Sequence, residues 1–328
     1  MEETKLCAKC GKCLSFCPVY QVTREETLAP RGRVSLLEAD LLFHEALAAC
    51  LLCGACEAQC PNRVPITKLI LKARLKHPSS WLKGLPWVQN LWPKWGRSFK
   101  KEVALPKEGE WALFLGCGAD FLYPETTQIA VSFLEKQGLK VSLPQGQHCC
   151  GLPALSLGGR ELFVEQARQN LKALSQAQHI LTLCTSCLYT IVELYPYFLE
   201  DTPLASLARH VASRIKDLGT FLFQEGLFPS SHTVCLLQIP CHLRYLPREK
   251  WWSCMGIPVY EGCCGGGGFF GIRFRETSFK ISRGLTKALG QAPFRAIITS
   301  CTSCWLFLKQ RYPHLEVKML PHLLEERF

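Results

Sequence analysis

The sequence predicts an α+β multidomain chain in which a small N-terminal α-helical unit precedes two repeated α/β domains. Three observations predict it. Eight Cys crowd into residues 7–60 around a helical pattern that contains no strand. Two five-Cys sets, within residues 117–187 and 241–304, repeat one design. Around those sets short apolar runs alternate with amphipathic stretches, the signatures of strands and helices.

In chain order, residues 1–76 form the helical unit, with a helical pattern over Val34–Ala49 and a second helix from Pro65, a favoured first-turn residue, through Arg74. A basic, Trp-rich linker covers residues 77–109. The first α/β domain, residues 110–200, has strands at Trp111–Leu115, Lys140–Leu143 and Ile180–Leu183, with helices at Thr126–Gln137 and Leu162–Leu174. A connecting helix is expected in residues 201–232. The second domain, residues 233–328, has strands at Val234–Ile239, Val259–Tyr260 and Ala296–Thr299. Every Cys group follows a predicted strand, so thiols far apart in sequence can meet at the carboxyl edge of a sheet.

Composition narrows the chemistry. The chain has 328 residues, 48% of them apolar, enough for two or three cores. Its 20 Cys are many for a protein of this length. The start, Met1-Glu2-Glu3-Thr4-Lys5, has no apolar export segment, and the longest uncharged stretch, Ala173–Val192, is too polar to span a bilayer. The expectation is a cytoplasmic protein whose thiols bind metal rather than pair as disulfides.

Cys7, Cys10, Cys13 and Cys17 with Pro18, and Cys50, Cys53, Cys56 and Cys60 with Pro61, both follow the spacing of two-cluster bacterial ferredoxins. Three closely spaced thiolates reach three irons of one cubane, and the fourth Cys serves the other cluster. Cys7, Cys10, Cys13 and Cys60 are thus assigned to one 4Fe-4S cubane, and Cys50, Cys53, Cys56 and Cys17 to the other. Zinc also accepts Cys-x2-Cys pairs, but seldom needs four Cys and a trailing Pro twice over. The helical unit therefore reads as a two-cluster ferredoxin.

In the repeats, Cys117 precedes Cys149-Cys150-Gly151 and Cys184-Thr185-Ser186-Cys187; Cys241 precedes Cys263-Cys264-Gly265 and Cys301-Thr302-Ser303-Cys304. Tyr195-Pro196 and Tyr312-Pro313 follow at the same offset. These are two Cys-Cys-Gly domains. Five thiols exceed the needs of one cubane or one zinc, which implies an unusual cluster or a cluster plus a free thiol. A vicinal disulfide or simple packing is the alternative.

Helical ferredoxin followed by two Cys-Cys-Gly domains resembles the iron-sulfur subunit of glycolate oxidase and its relatives, among them lactate oxidation proteins and the Cys-Cys-Gly subunit of heterodisulfide reductase. The resemblance extends to Pro30-Arg31-Gly32-Arg33, Gly116-Cys117, Pro240-Cys241-His242-Leu243 and Cys263-Cys264-Gly265-x-Gly267. It implies one or two further, noncubane 4Fe-4S clusters, one on Cys117, Cys149, Cys150, Cys184 and Cys187, the other on Cys241, Cys263, Cys264, Cys301 and Cys304. The second set departs from the family pattern: 21 residues separate Cys241 from Cys263 against 31 between Cys117 and Cys149, and Ile239 stands where Asp is frequent.

Other residues carry weaker signals. Gly265–Gly268 lacks the Lys-Ser/Thr of a phosphate loop and is read as close backbone approach to a cluster. His148 and His242 flank ligand Cys and are read as proton relays or as hydrogen-bond partners of the ligands. Cys235 and Cys254 are expected in the core. Arg31 and Arg33 either face a partner or offset cluster charge. Residues 68–101 hold nine Lys or Arg, no acid, and Trp81, Trp87, Trp92 and Trp95, which suggests peripheral contact with the inner membrane face through residues 77–101. No recognition motif suggests nucleic acid.

No dinucleotide fingerprint or flavin signature follows any predicted strand, so no flavin is expected in this chain. A chain with clusters and no hydride acceptor moves single electrons. The expected function is the electron-transfer subunit of a flavin-dependent 2-hydroxy-acid dehydrogenase, working with a flavin-binding subunit and a quinone or membrane-bound acceptor. The alternative is disulfide cleavage at noncubane clusters. A zinc-bound interaction module is the third class. No catalytic residue is assigned. The formal charge of +11 omits the clusters; four of them with their thiolates contribute roughly −10 by ligand counting.

Overall fold

The computed structural model describes residues 2–84, 109–227, 234–247 and 249–327. The N-terminal unit is built of short helices joined by turns at the Cys motifs. Pro18–Thr23, Pro30–Glu38, Glu45–Ala48, Ala55–Ala58 and Ile66–Lys76 are helical. Three of these start at or beside Pro, whose fixed φ suits a first turn. The helix expected over Val34–Ala49 is interrupted between Glu38 and Glu45, where Asp40 takes a left-handed conformation. Past the break, the carbonyls of Ala46, Leu47, Ala48 and Ala49 accept hydrogen bonds from Arg33 and Arg74. Ile66–Lys76 buries Ile66, Leu69, Ile70, Leu71 and Ala73 and supplies the floor of the unit.

Each repeat is a four-stranded, wholly parallel sheet. The first comprises β1 (Trp111–Phe114), β2 (Val141–Ser142), β3 (His179–Thr182) and β4 (Ile215–Asp217), in the order β2-β1-β3-β4. The second comprises β5 (Cys235–Gln238), β6 (Val259–Tyr260), β7 (Ala296–Thr299) and β8 (Glu316–Met319), in the order β6-β5-β7-β8. Parallel pairing demands a crossover after every strand, and the helices Pro124–Lys136, Arg160–Leu174, Ala205–Arg214, Arg275–Leu289 and Thr302–Arg311 lie in these crossovers. The central strands β1, β5 and β7 are buried along their length and β3 from Ile180 onward, as sheets covered on both faces require.

Two edge strands go beyond the sequence-based expectation. Residues 201–232, expected as a connecting helix, contain two helices with β4 between them, and β4 completes the first sheet beside β3. Ile-Lys-Asp is too short to show a period of two. β8 does alternate, yet it is partly exposed and runs directly into the helical turns of Leu320–Arg327, which hides its pattern.

The shorter spacing in the second repeat has a structural cause. Where the first repeat inserts the 13-residue helix Pro124–Lys136 between β1 and β2, the described residues between β5 and β6 hold only the four-residue helices Cys241–Arg244 and Trp251–Cys254. Trp251 and Trp252 fill the space with fully buried rings. The Trp251–Cys254 turn leaves Cys254 exposed, which corrects its expected place in the core; Cys235 lies buried in β5 as expected.

One apolar core spans all three units. It joins Leu69 and Ile70 of the helical unit to Phe163, Leu188 and Tyr195 of the first repeat and to Leu237, Leu243 and Trp251 of the second. A smaller core seats Val19 and Leu51 against Phe270 and Ile281. The helical unit is therefore held by both repeats, next to their Cys-bearing edges. Among the described residues, no helix is long and apolar enough to cross a membrane. Of the proposed membrane-contact segment, Trp81 is exposed and meets Phe269 edge-on, while Trp87, Trp92 and Trp95 lie outside the described residues.

Candidate metal centres

All twenty thiols are free. In the helical unit they surround two recesses. One is lined by Cys7, Cys10, Cys13 and Cys60, with Lys9, Arg31 and Asn62. The other is lined by Cys17, Cys50, Cys53 and Cys56, with Arg33 and Thr67. The last Cys of each motif thus lines the recess of the other motif.

The local backbone explains how three thiols of one motif share a recess. Lys9 and Gly11, either side of Cys10, are left-handed, and so are Leu52 and Gly54, either side of Cys53. The repeated reversals curl each loop around its recess; Gly is favoured at such positions because a Cβ is strained there. The Leu52 amide donates to Cys50 Sγ at 3.4 Å. Burial drives the Cys53 and Cys56 thiols well above their ordinary range, a cost that falls away when the sulfur is bound as thiolate to a metal.

In the repeats the Cys follow the strands, as the sequence predicts. Cys117 and Cys241 each lie three residues beyond β1 and β5; Cys184 and Cys301 lie two beyond β3 and β7. The ten thiols make an unbroken line. Cys117 meets Cys149 at 3.8 Å. From there contacts run Cys149 to Cys150, Cys150 to Cys187, Cys187 to Cys184, and then across the repeats from Cys184 to Cys301. The second half mirrors the first, through Cys304, Cys264 and Cys263 to Cys241. At its far end Cys241 faces Cys53 of the helical unit, close enough for their charges to interact.

The crossing is a polar junction between the two Cys-Thr-Ser-Cys turns. The Thr185 amide donates to the Ser300 carbonyl at 2.8 Å. Thr302 Oγ1 donates to Cys184 Sγ at 3.1 Å, and Ser186 Oγ lies 2.9 Å from Cys301 Sγ. Tyr123 OH shares a hydrogen bond with Thr302. Contacts from Cys187 and Cys301, with those from Thr302, pull the Cys184 thiol well below its ordinary range. In the second repeat, Gly265 and Gly266 amides donate to Cys263 and Cys264 at 3.3 Å each. The Gly-rich loop therefore brings bare backbone to the sulfurs.

His242 pins the three units together, a role beyond flanking a Cys. Its ring stacks on Tyr189 at 4.4 Å, Nδ1 lies 3.2 Å from Ser186 Oγ, and Nε2 lies 2.9 Å from the Leu52 carbonyl. A carbonyl only accepts, so Nε2 carries the hydrogen, and burial keeps the ring neutral by lowering its pKa. His242→Phe keeps the stack and removes both hydrogen bonds. It is expected to cost about 1–3 kcal/mol, read as a lower thermal unfolding midpoint by circular dichroism. His148, by contrast, is exposed.

The donor set fits iron-sulfur clusters. Soft thiolates alone line each site, the choice of zinc or iron-sulfur centres. Among the described residues no three His, Cys, Asp or Glu side chains are placed to hold a single metal ion, and the four thiols of each N-terminal set are spread around a recess instead. Thr185 Oγ1, fully buried beside Cys184, has no hydrogen-bond partner, a donor left for a metal-bound sulfur. Residues 3–64 match the family described as 4Fe-4S dicluster domain, and residues 111–192 and 238–309 each match the cysteine-rich domain. The chain belongs to the family that joins a 4Fe-4S dicluster domain to two cysteine-rich domains.

Similar proteins share that order. The chain is 25% identical to the probable glycolate oxidase iron-sulfur subunit of Bacillus subtilis, over 94% of this chain and 89% of that one. It is also 25% identical to a subunit of the fumarate reductase (CoM/CoB) of Methanothermobacter marburgensis, over 92% of this chain and 67% of that one. Lactate utilization protein A 1 of Bacillus mycoides matches 66% of this chain at 25% identity and 96% of its own length. A hypothetical protein from Helicobacter pylori shares the fold at a TM-score of 0.55 and 10% identity, over 99% of this chain and 72% of that one.

Proposed function

We propose that this chain is the iron-sulfur electron-transfer subunit of a flavin-dependent 2-hydroxy-acid dehydrogenase complex of the glycolate or lactate type. A separate flavoprotein delivers the electrons, and a quinone or another carrier receives them. The observation that carries this reading is the run of neighbouring thiols from Cys53 through Cys241 to Cys117, with the recess of Cys7, Cys10, Cys13 and Cys60 meeting that of Cys17, Cys50, Cys53 and Cys56 at Ile66. In it, Cys7, Cys10, Cys13 and Cys60 hold one cubane, Cys17, Cys50, Cys53 and Cys56 the second, and the five-Cys sets hold up to two further clusters. A bound 4Fe-4S cluster supplies one-electron storage and release.

The chain's own residues do the rest. Cys10 is exposed, so a partner protein can approach the first recess, while Cys50 and Cys56 keep the second from water. The interaction of Cys53 with Cys241 supports an order in which electrons pass from the dicluster domain to the second cysteine-rich domain and then to the first. Gly265, Gly266 and Thr302 donate to sulfurs that carry the anionic charge, and such charge-assisted bonds hold it in place.

Iron-loaded chain mixed with the flavoprotein that co-purifies with it should restore dye-linked oxidation of glycolate or lactate. A purified chain without iron and acid-labile sulfide, or one that leaves the dye reaction of the flavoprotein unchanged, would sink the proposal. A second reading, disulfide cleavage of the heterodisulfide reductase type, is favoured by the meeting of Cys184 with Cys301, which a simple relay does not need. It balances as one disulfide plus two electrons and two protons giving two thiols. Oxidation of reduced viologen dye by a disulfide, with no flavoprotein present, would select it.

A further inference from the structure

Arg33 is 2% exposed, and its guanidinium is held by backbone alone, Nε donating to the Ala46 carbonyl at 2.8 Å and Nη2 to the Ala49 carbonyl at 2.7 Å. Arg74 lies beside it, half-buried. It donates to the carbonyls of Leu47, Ala48 and Cys50 at 2.8, 3.1 and 2.9 Å, and to Ser156 at 3.2 Å. Carbonyls satisfy the N–H groups but bring no countercharge. Among the described residues neither guanidinium forms a salt bridge, and a buried cation without one is costly. Arg74 reaches the backbone of Cys50 itself, so its charge lies directly behind a thiol of the inner recess.

The other charges nearby do not compensate. Arg273 is paired with Glu45 at 3.4 Å on the surface. Glu57, next to Cys56, is occupied by the Thr67 amide and hydroxyl and is itself pushed upward by burial. The other recess is different. Its Arg31 is paired with Glu26 at 2.7 Å and its Lys9 with Glu38 at 2.9 Å, all with solvent access. Pro30-Arg31-Gly32-Arg33 thus sends one Arg outward and one inward. Gly32, between them, lets the Glu26 backbone pack against the helix, because a Cβ there would collide with the Glu26 carbonyl.

We propose that Arg33 and Arg74 are the built-in countercharge of the centre held by Cys17, Cys50, Cys53 and Cys56, and raise its midpoint potential above that of the centre at Cys7, Cys10, Cys13 and Cys60. Uptake of one electron adds one negative charge, which a fixed, unscreened cation stabilises. An electron entering at the exposed recess is then drawn inward, toward Cys241. This rests on the reading that both recesses hold clusters. If that reading fails, the wild-type protein carries no iron; if only this inference fails, both signals are present with unaltered spacing.

The test is a redox titration of the iron-loaded full chain with dithionite as reductant and ferricyanide as oxidant, followed by electron paramagnetic resonance. The two signals are assigned by which one is lost in Cys17→Ala and in Cys60→Ala. Arg33→Gln should shift the inner midpoint negative by about 59 mV or more, a tenfold change in electron partition between the centres, and leave the outer one in place. Arg33→Lys, which keeps the charge, should restore most of the gap, and Arg31→Gln should leave the inner midpoint unchanged. An unmoved inner midpoint in Arg33→Gln, or equal shifts in the Gln and Lys variants, overturns the inference. If Arg33→Gln does not load iron, the wild-type gap decides. Between about 0.1 and 1 M salt, where the screening length falls from about 10 to 3 Å, a gap set by buried cations persists. A gap that closes over that range overturns the proposal.

Discussion

Cys17→Ala is expected to remove the cluster whose other thiols are Cys50, Cys53 and Cys56, and to spare the one beside Cys13, its own neighbour in sequence. Cys60→Ala is expected to do the reverse. The recesses explain the crossing: Cys17 shares its cavity with the second motif, and Cys60 shares its cavity with the first. Three thiols curl around one recess through the left-handed residues beside Cys10 and Cys53, and the helices starting at Pro18 and Ile66 carry the chain away from it. Each variant should therefore lose about four irons and one of two paramagnetic signals. Loss of the signal nearest in sequence would show that each motif fills its own site.

Cys241→Ala and Cys117→Ala occupy equivalent positions in the two repeats, yet are expected to differ sharply. Cys241 faces Cys53, whereas Cys117 is at the far end of the line. Without Cys241, electrons loaded on the dicluster domain should reach the first repeat at least about tenfold more slowly, a barrier increase of about 1.36 kcal/mol. Without Cys117, every centre up to Cys301 should fill at the wild-type rate. Rapid-freeze paramagnetic resonance after mixing with dithionite reads both. Equal effects in the two variants would mean that the repeats are fed in parallel.

Much of this is legible in the residues. Spacing alone points to the exchange of Cys17 and Cys60, because a loop that wraps three irons must leave before the fourth. The central strands β1, β3, β5 and β7 show as apolar runs, being buried on both faces. What is hidden depends on tertiary contact. Cys184 and Cys301 belong to separate repeats, and only the facing of two sheet edges brings them together. Arg31 and Arg33 look alike as letters, two residues apart on one helix; their opposite fates follow from which side of it meets the carbonyls of Ala46 and Ala49. β4 escapes notice because three residues carry no period, and so does the break after Glu38, because Asp40 gives little sign of its left-handed turn.

The claim on which the rest depends is that the repeats, as well as the dicluster domain, hold iron. Iron and acid-labile sulfide per chain, measured on anoxically purified protein together with the paramagnetic resonance of its reduced form, test it directly. The expected result is a brown protein with more than about eight irons per chain, the number two four-iron clusters supply, and signals beyond theirs. Eight irons or fewer with the ten repeat thiols still titratable, or zinc in their place, would contradict it.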